Sequence, residues 1–263
     1  MPDRVAIITG AARGIGAATA IRLAASGWRL VLVDRSKDDS ALAYPLASEG
    51  ELQATCSACG GEDRAVAVVA DVRDQGALDD AVAVAVDRFG GLDAALAVAG
   101  GIAGGQPSWT TAEETWDAMI AINLEGVWRL ANAAVPALLE RPRPRQGRFV
   151  ALASAGGIRG LPLLAAYSAA KHGVIGFVRS LAAELGPEGI TVNAVAPGST
   201  STAMLDASAA VYGIDVQDFA GHHLLGRLVA ADEVAALLAW VCGPESAAIT
   251  GAVLPVDAGM TAS

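Results

Sequence analysis

The first thirty-four residues constrain this chain more than any other stretch. A β-branched run, Val5 to Thr9, breaks into Gly10-Ala11-Ala12-Arg13-Gly14-Ile15-Gly16. An amphipathic helix follows to about Ser26, with Gly27 placed to end it, and a second apolar run, Arg29 to Val33, closes on Asp34. Strand, glycine turn, helix and strand make a βαβ unit, which forces the two strands to lie parallel. Gly10 allows the tight turn, Gly14 lets the backbone approach a diphosphate, and Gly16 allows close helix–strand packing. The helix start adds free N–H groups and a positive dipole end for phosphates. The spacing is Gly-x-x-x-Gly-x-Gly, and its setting between strand and helix is what gives it weight.

Asp34 has a specific task in that setting. A carboxylate at the end of the second strand accepts hydrogen bonds from an adenosine ribose and repels a 2′-phosphate. Arg13 and Arg35 pull the other way, because either could pair with that phosphate. The carboxylate's repulsion is close, whereas an arginine can swing to solvent, so NAD is expected over NADP. The rest of the chain fits one large α/β domain over residues 1–263, since nothing resembling a linker divides it. An apolar content of 53% with 17% charge suits a sheet buried on both faces. The net charge of −10 argues against nucleic acid or an anionic membrane surface as partner. No apolar run reaches the ~18 residues of a membrane span. The chain enters its first strand without signal-peptide architecture, and three cysteines in such a chain suggest a reducing cytoplasm.

A second signature lies at Ser154 to Lys171, SAGGIRGLPLLAAYSAAK. Tyr167 and Lys171 are four apart and share one face of a helix. A phenol titrates near ~10, and an ammonium one turn away is expected to lower it toward a useful base. Ser154 ends an apolar strand, RFVALAS, so its hydroxyl projects from the carboxyl end, where open α/β sheets place their chemistry.

The connection after Asp34 runs long. Residues 10–28 and 71–92 join their strands with 19 and 22 residues, but residues 35–64 use 30. One helix of ~12 residues with two short loops needs roughly 16–24. The excess is SKDDSALAYPLASEG, residues 36–50, with Tyr44-Pro45-Leu46 ahead of a capping Ser48 and a helix from about Glu49. It reads as a cover for the adenosine end or as a surface insertion. Cys56 and Cys59 form a single Cys-x-x-Cys with neither a second ligand pair nor a redox context. Asp71 closes the third strand. Gln75 to Phe89 is amphipathic, and Ala99-Gly100-Gly101 follows the fourth strand. Thr111 to about Leu139 reads as a helix interrupted at Asn123, with Gly126 suggesting a kink. Arg141-Pro142-Arg143-Pro144-Arg145 reads as a solvated loop with no task. Residues 199–228 mix apolar and polar positions without periodicity and read as a substrate cover, with His222 and His223 structural or substrate-lining.

Assembled, these residues resemble the short-chain dehydrogenase/reductase family over almost the whole length. The matching pieces are Thr9-Gly10-x-x-x-Gly14-x-Gly16, Asp71-Val72, Asn123, Ser154 thirteen residues before Tyr167, Tyr167-x-x-x-Lys171 and Pro197-Gly198. The resemblance implies a seven-stranded parallel Rossmann sheet with helices on both faces and an Asn123–Ser154–Tyr167–Lys171 catalytic set. It implies that Asp71 and Val72 bind the adenine and that Ile15 lies beside the diphosphate. Ala99, Gly100, Pro197, Gly198, Thr200 and Thr202 would complete the NAD site, with Lys171 on the nicotinamide ribose and Asn123 placing a proton-relay water. It further implies a homotetramer acting on a small alcohol or its carbonyl. Where the family usually has Asn-Asn-Ala-Gly, this chain has Ala97-Val98-Ala99-Gly100, which removes two amides that tie that loop to its neighbours. The Tyr44-Pro45-Leu46-Ala47 insertion is similar to that of the mycofactocin-coupled subgroup, which implies a nicotinamide that stays bound and is recycled by a mycofactocin redox carrier. Two rival readings are an ordinary reductase with exchangeable NADP and an idle nucleotide-binding regulator. The second predicts damage in the catalytic set, and the set is intact.

Overall fold

The structure, a computed structural model, describes residues 4–262. Seven parallel strands form one sheet in the order β3-β2-β1-β4-β5-β6-β7. They are β1 (Val5–Thr9), β2 (Arg29–Asp34), β3 (Ala65–Val69), β4 (Ala94–Ala97), β5 (Gly147–Leu152), β6 (Ile190–Pro197) and β7 (Val253–Val256). The order reverses between β1 and β4, which pair with Ala6 opposite Ala94 and Thr9 opposite Ala97. Neighbouring strands there send their chains to opposite faces, leaving a crevice at the carboxyl ends.

The described residues form eight α-helices, of which all but α4 and α7 cover the two faces: α1 (Gly14–Ala25), α2 (Glu49–Ala58), α3 (Gln75–Phe89), α4 (Glu113–Ile120), α5 (Gly126–Leu139), α6 (Ala165–Leu185), α7 (Ala203–Tyr212) and α8 (Ala231–Cys242). Alternate residues of the central strands feed two cores. Ile7, Val31, Ala95 and Phe149 meet α3, α5 and α6, while Ala6, Ile8, Leu30 and Val150 meet α1, α2 and α8. That doubly covered sheet is what the apolar runs require.

Three local features place the site. Ser48 caps α2 reciprocally: its Oγ accepts from the Glu51 N–H, and Glu51 accepts from the Ser48 N–H at 2.7 Å. This fixes where the insertion ends. The interruption expected at Asn123 is one π-helical turn, Ala121–Glu125, between α4 and α5. Gly126 is needed behind it, since a Cβ there would lie 2.7 Å from Cγ2 of Val72. Residues 199–228 are more regular than their sequence suggests, with α7 and a 3₁₀ segment, Val216–His222. Their base is clipped where Thr200 bridges Val229.

The basic loop is not idle. Arg141 grips Asp93 through Nε and Nη2 at 2.8 and 2.9 Å, and Arg145 reaches Glu188 at 2.8 Å and the Leu139 carbonyl at 2.9 Å. Arg143 also pairs with Glu188. Cys56, Cys59 and Cys242 are free and buried, and no group of three metal-ligating side chains occurs among the described residues. No helix is long and apolar enough to cross a membrane, among the residues described.

Candidate active site

The glycine turn is shaped by its own backbone. Gly10 has φ +70°, and a Cβ there would stand 2.7 Å from Cα of Ala99. At Gly16 a Cβ would meet the Gly10 carbonyl oxygen at 1.9 Å, so any side chain would drive α1 off the strand. Above this turn opens a cavity of about 410 Å³, lined by Gly10, Arg13, Gly14, Ile15, Gly16 and Asp34 from the first βαβ unit. Arg35, Asp71, Val72, Ala99, Gly100 and Thr202 line it too, together with Leu42, Tyr44 and Leu46 of the insertion. It joins a larger cavity of about 810 Å³ through shared residues that include Ile15, Gly100 and Thr202. Ser154, Tyr167, Lys171, Pro197, Gly198 and Thr200 face that second space.

At the adenosine end, Asp34 accepts from the Ala12 N–H at 2.8 Å and from the Arg35 N–H at 2.7 Å. Burial raises its carboxyl above the usual range, against the lowering effect of those two amides. The two arginines weighed for a 2′-phosphate are engaged elsewhere. Arg13 donates to the Pro45 carbonyl at 2.7 Å, and Arg35 pairs with Asp39 and, at 3.4 Å, with Asp71. Arg73 closes the cluster, reaching Asp39 and Asp71 at 2.7 Å each. Burial works to raise the Asp71 carboxyl, but the hydrogen bonds and charge of Arg73 outweigh it and hold the group below its ordinary value. Asp39 and Arg73 were not legible as site residues. Their one sequence signal is that the overlong connection begins with acids opposite a strand-end Asp-x-Arg.

The second space holds the other set. Tyr167 and Lys171 lie one turn apart on α6 and are 6% and 3% exposed. Ser154 follows β5, and its Oγ accepts from the Gly156 N–H at 3.0 Å. The expected effect of Lys171 on the phenol is absent. Its Nζ donates to the Leu152 carbonyl at 2.8 Å and lies 5.9 Å from the centroid of the Tyr167 ring. Burial pushes the Tyr167 phenol up, against the pull of its hydrogen bond with Ser154, and nearby Tyr44 adds to the rise. Burial likewise brings the Lys171 ammonium down to about 8. The same dry environment therefore disfavours charge on both groups.

Asn123 is fully buried at the π-turn, where it donates to the Gly101 and Met119 carbonyls at 3.0 and 3.1 Å and accepts from the Gly101 N–H at 3.2 Å. Gly100 keeps Asn123 and Lys171 together: a Cβ there would lie 2.9 Å from Asn123 Oδ1 and 3.6 Å from Lys171 Nζ. The loop lacking its two amides is tied by other means. Thr9 Oγ1 accepts from the N–H groups of Val98 and Ala99 at 3.2 and 3.3 Å, and the Tyr44 hydroxyl accepts from Ile102 at 3.1 Å. Of the paired histidines, His223 is structural. Its Nε2 accepts from the Ser199 N–H at 3.2 Å, so Nδ1 carries the proton donated to the Arg227 carbonyl at 2.6 Å. His222 lines the larger cavity.

Comparison with known proteins places this geometry in company. A family model described as enoyl-(acyl carrier protein) reductase matches residues 10–261. The (−)-trans-carveol dehydrogenase of Rhodococcus erythropolis is 38% identical, over 98% of this chain and 97% of its own length. Levodione reductase of Leifsonia aquatica is 35% identical, over 99% and 95%. Among solved structures, carveol dehydrogenase from Mycobacterium avium in complex with NAD superposes with a TM-score of 0.93 at 36% identity, covering 99% and 98% of the two chains. A short-chain dehydrogenase from Mycobacterium paratuberculosis bound to NAD gives 0.89 at 33%, with 99% and 98% covered.

Proposed function

The chain belongs to the short-chain dehydrogenase/reductase family of oxidoreductases, and from that premise we propose that it interconverts a hydrophobic alcohol and its carbonyl with a resident NAD. NAD is the cofactor, in keeping with relatives described as NAD-dependent and neighbours described with NAD bound. The residues present fit it. The glycine turn leaves a cradle that any Cβ would fill, and Asp34 stands at the adenosine end with Arg13 and Arg35 already engaged. In this reading Gly10, Arg13, Gly14, Ile15 and Gly16 hold the diphosphate side. Asp34, Arg35, Asp71 and Val72 hold the adenosine, and Ala99, Gly100, Pro197, Gly198, Thr200 and Thr202 hold the nicotinamide half.

When bound, NAD would supply the hydride acceptor, and residence would leave its reoxidation to an external two-electron carrier of the mycofactocin type. The chain's residues do the rest. Ser154 and Tyr167 hydrogen-bond the substrate oxygen, and Tyr167 takes its proton on oxidation or returns it on reduction. Lys171 would hold the nicotinamide ribose, and Asn123, bonded to both the N–H and the carbonyl of Gly101, would brace the neighbouring loop. An exchangeable NADP has less support, because Arg13 is bonded to the Pro45 carbonyl and Arg35 is paired with Asp39 and Asp71.

The observation that carries residence is the anchoring of residues 36–50. Asp39 is strapped to Arg73, Tyr44 to Ile102, Pro45 to Arg13, and Leu42 packs against Gly101. A cover held at four places must open before cofactor leaves, which slows dissociation. The test is to desalt the protein, add alcohol with labelled free NAD, and follow both pools, with Tyr167→Phe as control. Reduction confined to the resident pool, with turnover only when an external acceptor is present, is expected. Loss of at least ~10²-fold in the control is expected too, the scale of a removed general acid–base. Rapid multi-turnover reduction of the free pool refutes residence, and near wild-type turnover in the control refutes the site.

A further inference from the structure

The larger cavity carries a charge pattern that an alcohol alone does not explain. Beside Tyr167 its walls are apolar, built from Ile102, Leu164 and Met204. Among the described residues no Asp or Glu lines it, although the chain has 28 acidic residues against 18 basic ones. Apart from Lys171, the charged side chain facing it is Arg159, exposed just beyond the one-turn helix that follows Ser154. Arg159 is oriented by a single bond, Nη1 to the Met260 carbonyl at 2.9 Å, and Met260 itself lines the cavity. Among the described residues it forms no ion pair, so the remaining edge of its guanidinium keeps its donors for something else. Arg35, Arg73, Arg141, Arg145 and Arg227 are each paired with a carboxylate, whereas Arg159, like Arg13 and Arg148, bonds only to backbone carbonyls. A guanidinium held by one backbone bond and without a counter-charge, at the rim of a largely apolar chamber, is suited to planar bidentate recognition of a carboxylate.

We propose that the substrate is an apolar alcohol bearing a carboxylate remote from its carbinol, with Arg159 receiving the carboxylate while Ser154 and Tyr167 receive the hydroxyl. The proposal rests on the alcohol-oxidising reading of the same site and narrows it to hydroxy acids and their keto counterparts. Arg159 here determines specificity, and the proton and hydride chemistry at the carbinol is unchanged.

The experiment compares 4-hydroxycyclohexanecarboxylate with its methyl ester, using the NAD-loaded protein and an artificial electron acceptor. Wild type is expected to favour the acid in kcat/KM by about tenfold or more, the value of one charge-assisted contact. Arg159→Gln should bring the acid-to-ester ratio to about one, and Arg159→Lys should keep part of it, because a point charge replaces the fork. Equal use of acid and ester by wild type, or an unchanged ratio in Arg159→Gln, overturns the proposal. Calorimetry with cyclohexanecarboxylate and cyclohexanecarboxamide keeps the question separate from turnover. If wild type oxidises neither alcohol, the alcohol reading fails. Carboxylate binding that needs Arg159 would still uphold the anion site, and equal binding of acid and amide would refute it.

Discussion

Lys171, in the role proposed for it, sets chemistry against stability. Its ammonium is buried with one carbonyl as partner, and burial draws its pKa from 10.5 to about 8. A shift of that size represents on the order of 3 kcal/mol of unfavourable burial for the charged form. Below pH 8 both folded and unfolded chains carry the proton, so the full penalty weighs on the fold. Between about 8 and 10.5 the unfolded chain still holds the proton that the folded one has released, and stability through this group rises with pH. Lys171→Met should therefore abolish turnover yet raise the melting temperature of the cofactor-free protein at pH 7 by several degrees. That gain should shrink as the pH passes 8. Calorimetric melts of both proteins from pH 6 to 10 decide it, and a destabilised variant at pH 7 would show that the Leu152 bond outweighs desolvation. The sequence offered the Tyr167–Lys171 spacing but not this balance. Spacing on a helix fixes which groups meet, whereas the burial of Tyr167 depends on residues far away in the chain, such as Ile102 and Tyr44.

At the scale of elements, the insertion proposed as a cover is also tied into the loop that Asn123 holds. The Tyr44 hydroxyl accepts from Ile102, the next residue along from Gly101, whose N–H and carbonyl are both bonded by Asn123. Tyr44 thus supplies one of the ties that the Ala97-Val98-Ala99-Gly100 stretch gives up by lacking amides. Tyr44→Phe keeps the ring and its packing while leaving a half-buried N–H unsatisfied, a cost of about 1–3 kcal/mol. Single-turnover reduction of resident NAD by alcohol should slow by about tenfold or more, and labelled NAD should exchange faster. An effect on exchange alone would restrict Tyr44 to covering. The elements themselves were legible wherever local rules govern: α3 begins and ends at Gln75 and Phe89 as expected, and Ser48 caps α2. The π-turn was legible only as an interruption. Its register depends on Asn123 reaching a loop some twenty residues away, and on Gly126 clearing Val72, which no periodicity encodes.

Across the whole molecule the two ends of the sheet divide the labour. Loops at the carboxyl ends hold the glycine turn, Asp34, Ser154 and the two segments 36–50 and 199–228 proposed as covers, with close backbone contacts such as that of Gly10 with Ala99. The opposite end is where the basic loop attaches, and its arginines read from sequence as solvated because their partners are remote in the chain. Asp93 immediately precedes β4, accepts from the Val5 N–H at 2.8 Å, and is gripped by one edge of Arg141 through Nε and Nη2. One carboxylate thereby joins β1, β4 and the loop after α5. The pair is partly shielded, with side chains 16% and 28% exposed, so it resists solvent screening better than a surface bridge but not fully. Arg141→Leu leaves Asp93 with only its backbone donor and should cost about 1–3 kcal/mol, a fall of several degrees in melting temperature for a domain of this size. Turnover and cofactor exchange should stay within about twofold of wild type, because additivity holds for distant sites that share no partners. A variant that melts like wild type would show the loop to be idle after all. One that loses turnover in proportion to stability would show that the amino end of the sheet sets the geometry of the carboxyl end.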